Sequence, residues 1–140
     1  MLPEDARKAD TSAWLARAAS DLRSARHALT ASPPLLDDAL FHCQQTVEKL
    51  LKALLTWHDV PFRRTHSLEE LGSQCLTLDP SLRSLVDRAA ALSEYSWRFR
   101  YPGPEPPPTL AEAQDALNTA TAALSEIASR LPADVLPETG

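Results

Sequence analysis

Glycine occurs only three times in this chain of 140 residues, and aromatic residues make up 6% of it. With alanine and leucine abundant, that composition favours helices, and no alternating apolar–polar pattern of a half-buried strand occurs anywhere. The three glycines, Gly72, Gly103 and Gly140, are isolated, which excludes a glycine-rich phosphate loop. There are two cysteines, Cys43 and Cys75, with no Cys-x-x-Cys, no His-Glu-x-x-His and no second Cys or His at ligand spacing. This excludes a disulfide framework and gives no sequence signature of a metal site or cofactor; the expectation is two thiols in a reducing compartment. No apolar run approaches the roughly 18 residues of a membrane span. Met1–Lys8 lacks the apolar segment of a secretory signal, so the expected location is cytoplasmic, away from the membrane.

The net charge is −5, unfavourable for non-specific binding to nucleic acid. The charge is uneven. Residues 42–66 hold Lys49, Lys52, Arg63 and Arg64 against Glu48 and Asp59, whereas residues 105–140 hold six carboxylates against Arg130 alone. The middle is mildly basic and the end acidic.

The apolar periodicity predicts an all-α, up-and-down antiparallel helical bundle of four long helices plus one short one in a single domain. Residues 1–10 are expected to be a flexible N-terminus, 11–131 the bundle and 132–140 a flexible tail. The first helix should start near Asp10 or Ser12, with Leu15, Ala18, Leu22, Ala25 and Leu29 facing inward, and Pro33-Pro34 stopping it. The second runs from about Leu35 to His58. Ser67 with Glu70, and Thr109 with Glu112, have capping-box spacing and open the short third helix and the last one. Asp79-Pro80 pairs an N-cap residue with proline at the first helical position. The fourth helix follows, with Leu82, Leu85, Val86, Ala89 and Leu92 inward. Four prolines within residues 104–108 break the chain. The last helix repeats Leu110, Ala113, Leu117, Ala120, Leu124, Ile127 and Leu131.

The second helix carries more chemistry than a core helix needs. Leu40, Cys43, Val47, Leu50 and Leu54 form its apolar stripe; His42, Gln45, Lys49 and Lys52 form a polar one that can line a cleft. The run Phe41-His42-Cys43-Gln44-Gln45-Thr46-Val47-Glu48-Lys49-Leu50-Leu51-Lys52-Ala53 resembles the second-helix signature of the HEPN family, the higher-eukaryote and prokaryote nucleotide-binding domain. Thr65-His66-Ser67-Leu68 resembles the family's Thr-His-Asp-Leu connector, with Ser67 in place of Asp. Arg100-Tyr101-Pro102 resembles the Arg-Tyr-Pro at the end of its fourth helix. The resemblance covers residues 12–131.

The resemblance implies a helical bundle that forms a homodimer and works beside a minimal nucleotidyltransferase partner, in toxin–antitoxin or other defence systems. Some members are metal-independent ribonucleases built on Arg-x(4–6)-His. Here no histidine follows His66, and neither His27, His42, His58 nor His66 has an arginine five to seven positions before it. The ribonuclease motif is absent, and a tyrosine of ordinary pKa ~10 is a poor general base at neutral pH. The expectation is a nucleotide- or RNA-binding module with no catalytic residue; the alternative is a ribonuclease in which Arg98 or Arg100 works with His42 or His66 brought close by the fold. The candidate nucleotide- or RNA-binding residues are Arg98, Arg100, Tyr101, Lys49, Lys52, His42 and His66, with arginines as a phosphate clamp and aromatics as stacking surfaces. In some family pairs the partner adds nucleotide to a tyrosine near the arginine motif, which makes Tyr101, or Tyr95, the modification candidate. Each residue also has a structural role open to it: helix C-capping for the arginines, an i,i+4 pair for Glu48 and Lys52, interhelical hydrogen bonds for the histidines.

Overall fold

The computed structural model describes residues 3–99, 101–103 and 106–137, all of them helical or irregular. Helix α1 spans Glu4–Thr30. It begins ahead of the expected Asp10–Ser12 start because its first turns find partners: the Thr11 hydroxyl donates to the Arg7 carbonyl (2.8 Å), Arg7 lies 4.7 Å over the Trp57 ring, and Lys8 pairs with Asp134 at 2.8 Å. Helix α2, Leu36–Trp57, packs against α1, against α3 (Leu68–Leu78) and against α5 (Leu110–Ala128).

The expected four long helices are three. After a 3-10 turn at Pro80–Leu82, α4 covers only Arg83–Ala90, and a second 3-10 turn takes Ser93–Ser96. The early stop has a local cause. Ser93 Oγ accepts from the Leu68 amide (3.0 Å) and donates to Glu69 (2.7 Å), so this segment completes the first turn of α3 instead of prolonging its own helix. Arg98 consequently lies beyond a turn, not at the end of a fourth helix.

The caps follow the sequence closely. Ser67 accepts from the Glu70 amide, and Thr109 with Glu112 closes a reciprocal capping box. Asp79 accepts from the Ser81 amide and hydroxyl and pairs with Arg130 at 2.6 Å; Ser81 first, then Arg130, hold its carboxyl at about 2. After α5 a 3-10 turn at Ala133–Val135 buries Val135 in the core.

The expected inward residues of α2 and α4 are buried, as are Leu68, Leu71 and Cys75 of the α3 pattern. In α5 the buried face is Ala113, Ala116, Thr119, Ala120, Ala123 and Ile127, while Leu117 and Leu124 are half-buried and Leu110 is exposed. Small side chains let two helix axes approach closely, so the alanine face is the one laid against the bundle. Cys43 and Cys75 are free, buried thiols, pushed up to about 12 by burial, which leaves them chemically quiet. No helix among the described residues is long and apolar enough to cross a membrane.

One close approach is specific to glycine. A methyl group at Gly72 would lie 2.6 Å from Cγ1 of Val86, where α3 meets α4. Val86 is buried, and its β-branched side chain strongly prefers one rotamer in a helix, so moving it aside is costly. Gly72→Ala is expected to destabilise by about 1–3 kcal/mol, the range for overpacking, despite removing a helical glycine. Adding Val86→Ala should recover part of that loss. Urea melts of the two variants check this, and a stabilised Gly72→Ala single variant would refute the contact.

Candidate functional site

The polar stripe of α2 is satisfied from inside the molecule. Glu48 is 2% exposed and Lys52 8%. The Glu48 carboxylate accepts from Lys52 Nζ (3.0 Å), Gln44 Nε2 (3.1 Å) and His66 Nδ1 (2.8 Å). Gln44 also donates to the His66 carbonyl (3.3 Å) and accepts from Gln45 (2.6 Å). A buried carboxylate with several donors is a low-strain arrangement, and it ties the 65–67 connector to α2. His66 is thus held through Nδ1 and keeps only Nε2 for anything else.

A second hub lies one turn away. Asp21 of α1 accepts from His42 Nδ1 (2.8 Å) and pairs with Lys49 Nζ. Asp21 was not singled out by the sequence, where it is one more carboxylate on a helix; its spacing from His42 and Lys49 is a property of how α1 lies on α2.

Lys52 looks outward onto aromatic rings: Nζ is 5.3 Å from the Trp14 centroid and 5.9 Å from that of Phe62, which meet edge-to-face at 6.2 Å. Trp14 and Phe62 line a cleft of about 650 Å³ with Arg17, Asp10 and Asp59. Sequence reasoning missed this cleft, because its aromatic residues come from α1 and from the loop after α2, with no shared spacing. Of the connector arginines, Arg63 is bound to Glu70 (2.6 Å); that bond raises the Arg63 pKa and lowers that of Glu70.

Arg98 and Tyr101 meet in a separate cleft of about 390 Å³, lined also by Phe99, Leu36, Asp37 and the proline segment around 106–108. Tyr95 and Phe99 stack at 6.0 Å, and Arg98 lies 4.7 Å over the Phe99 ring. Arg98 pairs with Glu94 (3.1 Å) and reaches Glu112 at 4.0 Å, so its charge is shared with carboxylates. Tyr101 is 80% exposed. The tyrosine hydroxyl of Tyr95 points to Glu112 (3.5 Å); burial first, then the carboxylates, raise its pKa. Arg100 lies outside the described residues. The structure therefore sorts the other six candidates into three groups: His42 with Lys49, His66 with Lys52, and Arg98 with Tyr101. None of the four α2 and connector residues is among the described residues lining the Arg98 cleft. No group of three or more His, Cys, Asp or Glu among the described residues is placed to hold a metal ion.

The chain belongs to the HEPN family: the family model described as HEPN domain matches residues 11–130. Comparison with curated proteins and with solved structures finds no match.

Proposed function

We propose that this HEPN chain is a nucleotide- or RNA-binding module without catalysis of its own. It forms a homodimer and acts with a minimal nucleotidyltransferase partner in a toxin–antitoxin or defence-type system. The observation that carries the binding role is the cleft in which Arg98, Phe99 and the exposed Tyr101 converge beside the proline segment. It offers aromatic faces for a base and a guanidinium for a phosphate, the two needs of a single-stranded or mononucleotide ligand. The missing Arg-x(4–6)-His supports binding without cleavage. Trp97, 59% exposed, with Leu35 and Leu110 adds apolar surface that a second copy can cover.

The test is titration of the purified protein with ATP and with a short single-stranded RNA, comparing wild type with Tyr101→Ala and Arg100→Ala, with RNA integrity read from the same samples. Binding without cleavage is expected. Loss of one stacking ring, worth about 1–3 kcal/mol, should weaken it roughly 5- to 150-fold. RNA cleavage that disappears in Arg100→Ala, or no binding at all by the wild type, would overturn the reading. Light scattering on the same sample should give twice the 15.3 kDa chain mass. Co-expression with the partner should add nucleotide mass at Tyr101, and an unchanged mass removes that part.

A further inference from the structure

A further basic surface lies between α1 and α2, outside the Arg98 cleft, and shares His42 with the Asp21 hub. Ser20, Arg23, Ser24 and His27 stand at i, i+3, i+4 and i+7, so they form one stripe of α1. That stripe is one wall of a groove of about 790 Å³ whose other wall holds His42 and Asp38 of α2, with Arg26 at its edge. Four arginines among the described residues are matched to a carboxylate: Arg63 to Glu70, Arg83 to Asp87, Arg98 to Glu94 and Arg130 to Asp79. Arg23 and His27 have no side-chain partner among the described residues, and Arg26 makes only a 3.5 Å bond to the Thr121 hydroxyl. Asp38 is the one carboxylate lining the groove, so it carries one net positive charge with both imidazoles neutral and three with both protonated.

His42 differs from an ordinary surface imidazole. Its Nδ1 is fixed on Asp21, which is itself nearly buried and bound to Lys49. The ring is held in one orientation, and Nε2 is the nitrogen left for a ligand. The groove also borders the Arg98–Tyr101 cleft: Leu35 and Asp38 line one, Pro34, Leu36 and Asp37 the other. Each site has one carboxylate in its lining, Asp38 in the groove and Asp37 in the cleft, and the groove sets two arginines against it where the cleft sets Arg98 alone.

We propose that the α1–α2 groove is a phosphate-binding site that takes the sugar–phosphate backbone of a single-stranded RNA whose base stacks in the Arg98–Tyr101 cleft. Arg23 and Arg26 supply the fixed charge, and His42, held by Asp21, donates from Nε2 in its imidazolium form, with the exposed His27 beside it. This rests on the nucleotide- or RNA-binding reading above and adds to it a backbone track and a length dependence. A mononucleotide fills the cleft alone, whereas an oligomer spans cleft and groove.

The experiment uses the full chain with three probes: an eight-nucleotide oligouridylate, UMP and inorganic phosphate. Arg23→Glu with His27→Ala changes two exposed side chains and is expected to leave the fold intact, which circular dichroism checks. Octamer binding should weaken at least tenfold and its salt dependence should flatten, because phosphate contacts release counterions. UMP binding should stay unchanged. The Hε1 resonances of His27 and His42 should shift with the octamer and not with UMP. Octamer affinity unchanged in the double variant overturns the groove while leaving the cleft reading intact if UMP still binds. Inorganic phosphate that binds as tightly as the octamer, and is lost in the variant, makes the groove a free-phosphate site and overturns the backbone assignment. Failure of all three probes on the wild type overturns both readings together.

Discussion

Replacing Glu48 with glutamine is expected to cost this domain about 3–5 kcal/mol, the range for breaking a buried ion pair by removing one partner. The carboxylate is nearly inaccessible and accepts from Lys52, His66 and Gln44. A glutamine keeps the shape but offers one acceptor oxygen and turns an N–H2 toward groups that are donors themselves. Lys52 is left buried with its charge uncompensated, which is the costly event. For a domain with a total stability of about 5–15 kcal/mol, this is a large fraction. The exposed i,i+4 pair Arg83–Asp87, with side chains 71% and 65% accessible at 4.0 Å, serves as the internal comparison. Asp87→Asn should change stability by no more than about 1 kcal/mol. Replacing Glu48 and Lys52 together with Leu and Met should recover part of the loss, since the unpaired charge goes with its partner. Chemical denaturation of these variants decides the matter: a Glu48→Gln loss near that of Asp87→Asn would mean that water reaches the site and the network is a surface one.

Leu51→Ala is the second large effect, at about 2–5 kcal/mol. Leu51 lies off the apolar stripe that periodicity assigns to α2, yet it is as buried as Leu50 and Leu54, and so is Leu55. Helix α2 is enclosed by α1, α3, α5 and the Ser93–Ser96 turn, so nearly every side of it is core. Truncation leaves a void that a helix held from several sides cannot collapse into. In α5 the order is reversed. Leu117, on the leucine repeat, is only half-buried, and Leu117→Ala should cost well below Leu51→Ala. Ala120, fully buried, should resist enlargement: Ala120→Leu is expected to cost about 1–3 kcal/mol. Thermal and urea melts of the three variants test the packing directly; a Leu117→Ala loss equal to that of Leu51→Ala would return the leucine repeat to the core.

Much of the fold was legible in the sequence because it depends on neighbours within one or two turns. The Ser67, Asp79 and Thr109 caps, the inward stripes of α1, α3 and α4, the proline breaks and the three family segments all involve residues close in the chain. The candidate site was legible only as a set of residue types. That His42 and Lys49 are joined by Asp21, and that Lys52 and His66 are joined by Glu48, depends on contacts between residues 18 to 28 positions apart. The same is true of Ser93, which ends α4 early by serving α3, and of the Ser20, Arg23, Ser24 and His27 stripe on α1, whose groove exists only because α2 lies beside it.

Composition, periodicity and capping by themselves determined an all-helical domain with the helices in their observed order, and the family came from the resemblance of three short motif segments. Only the tertiary structure decided which polar groups of α2 are neutralised inside the bundle and which basic groups of α1 stay open to a ligand. The physical reason is that a side chain's charge is screened or satisfied by whatever is nearest in space, and in a helical bundle the nearest group comes from another helix.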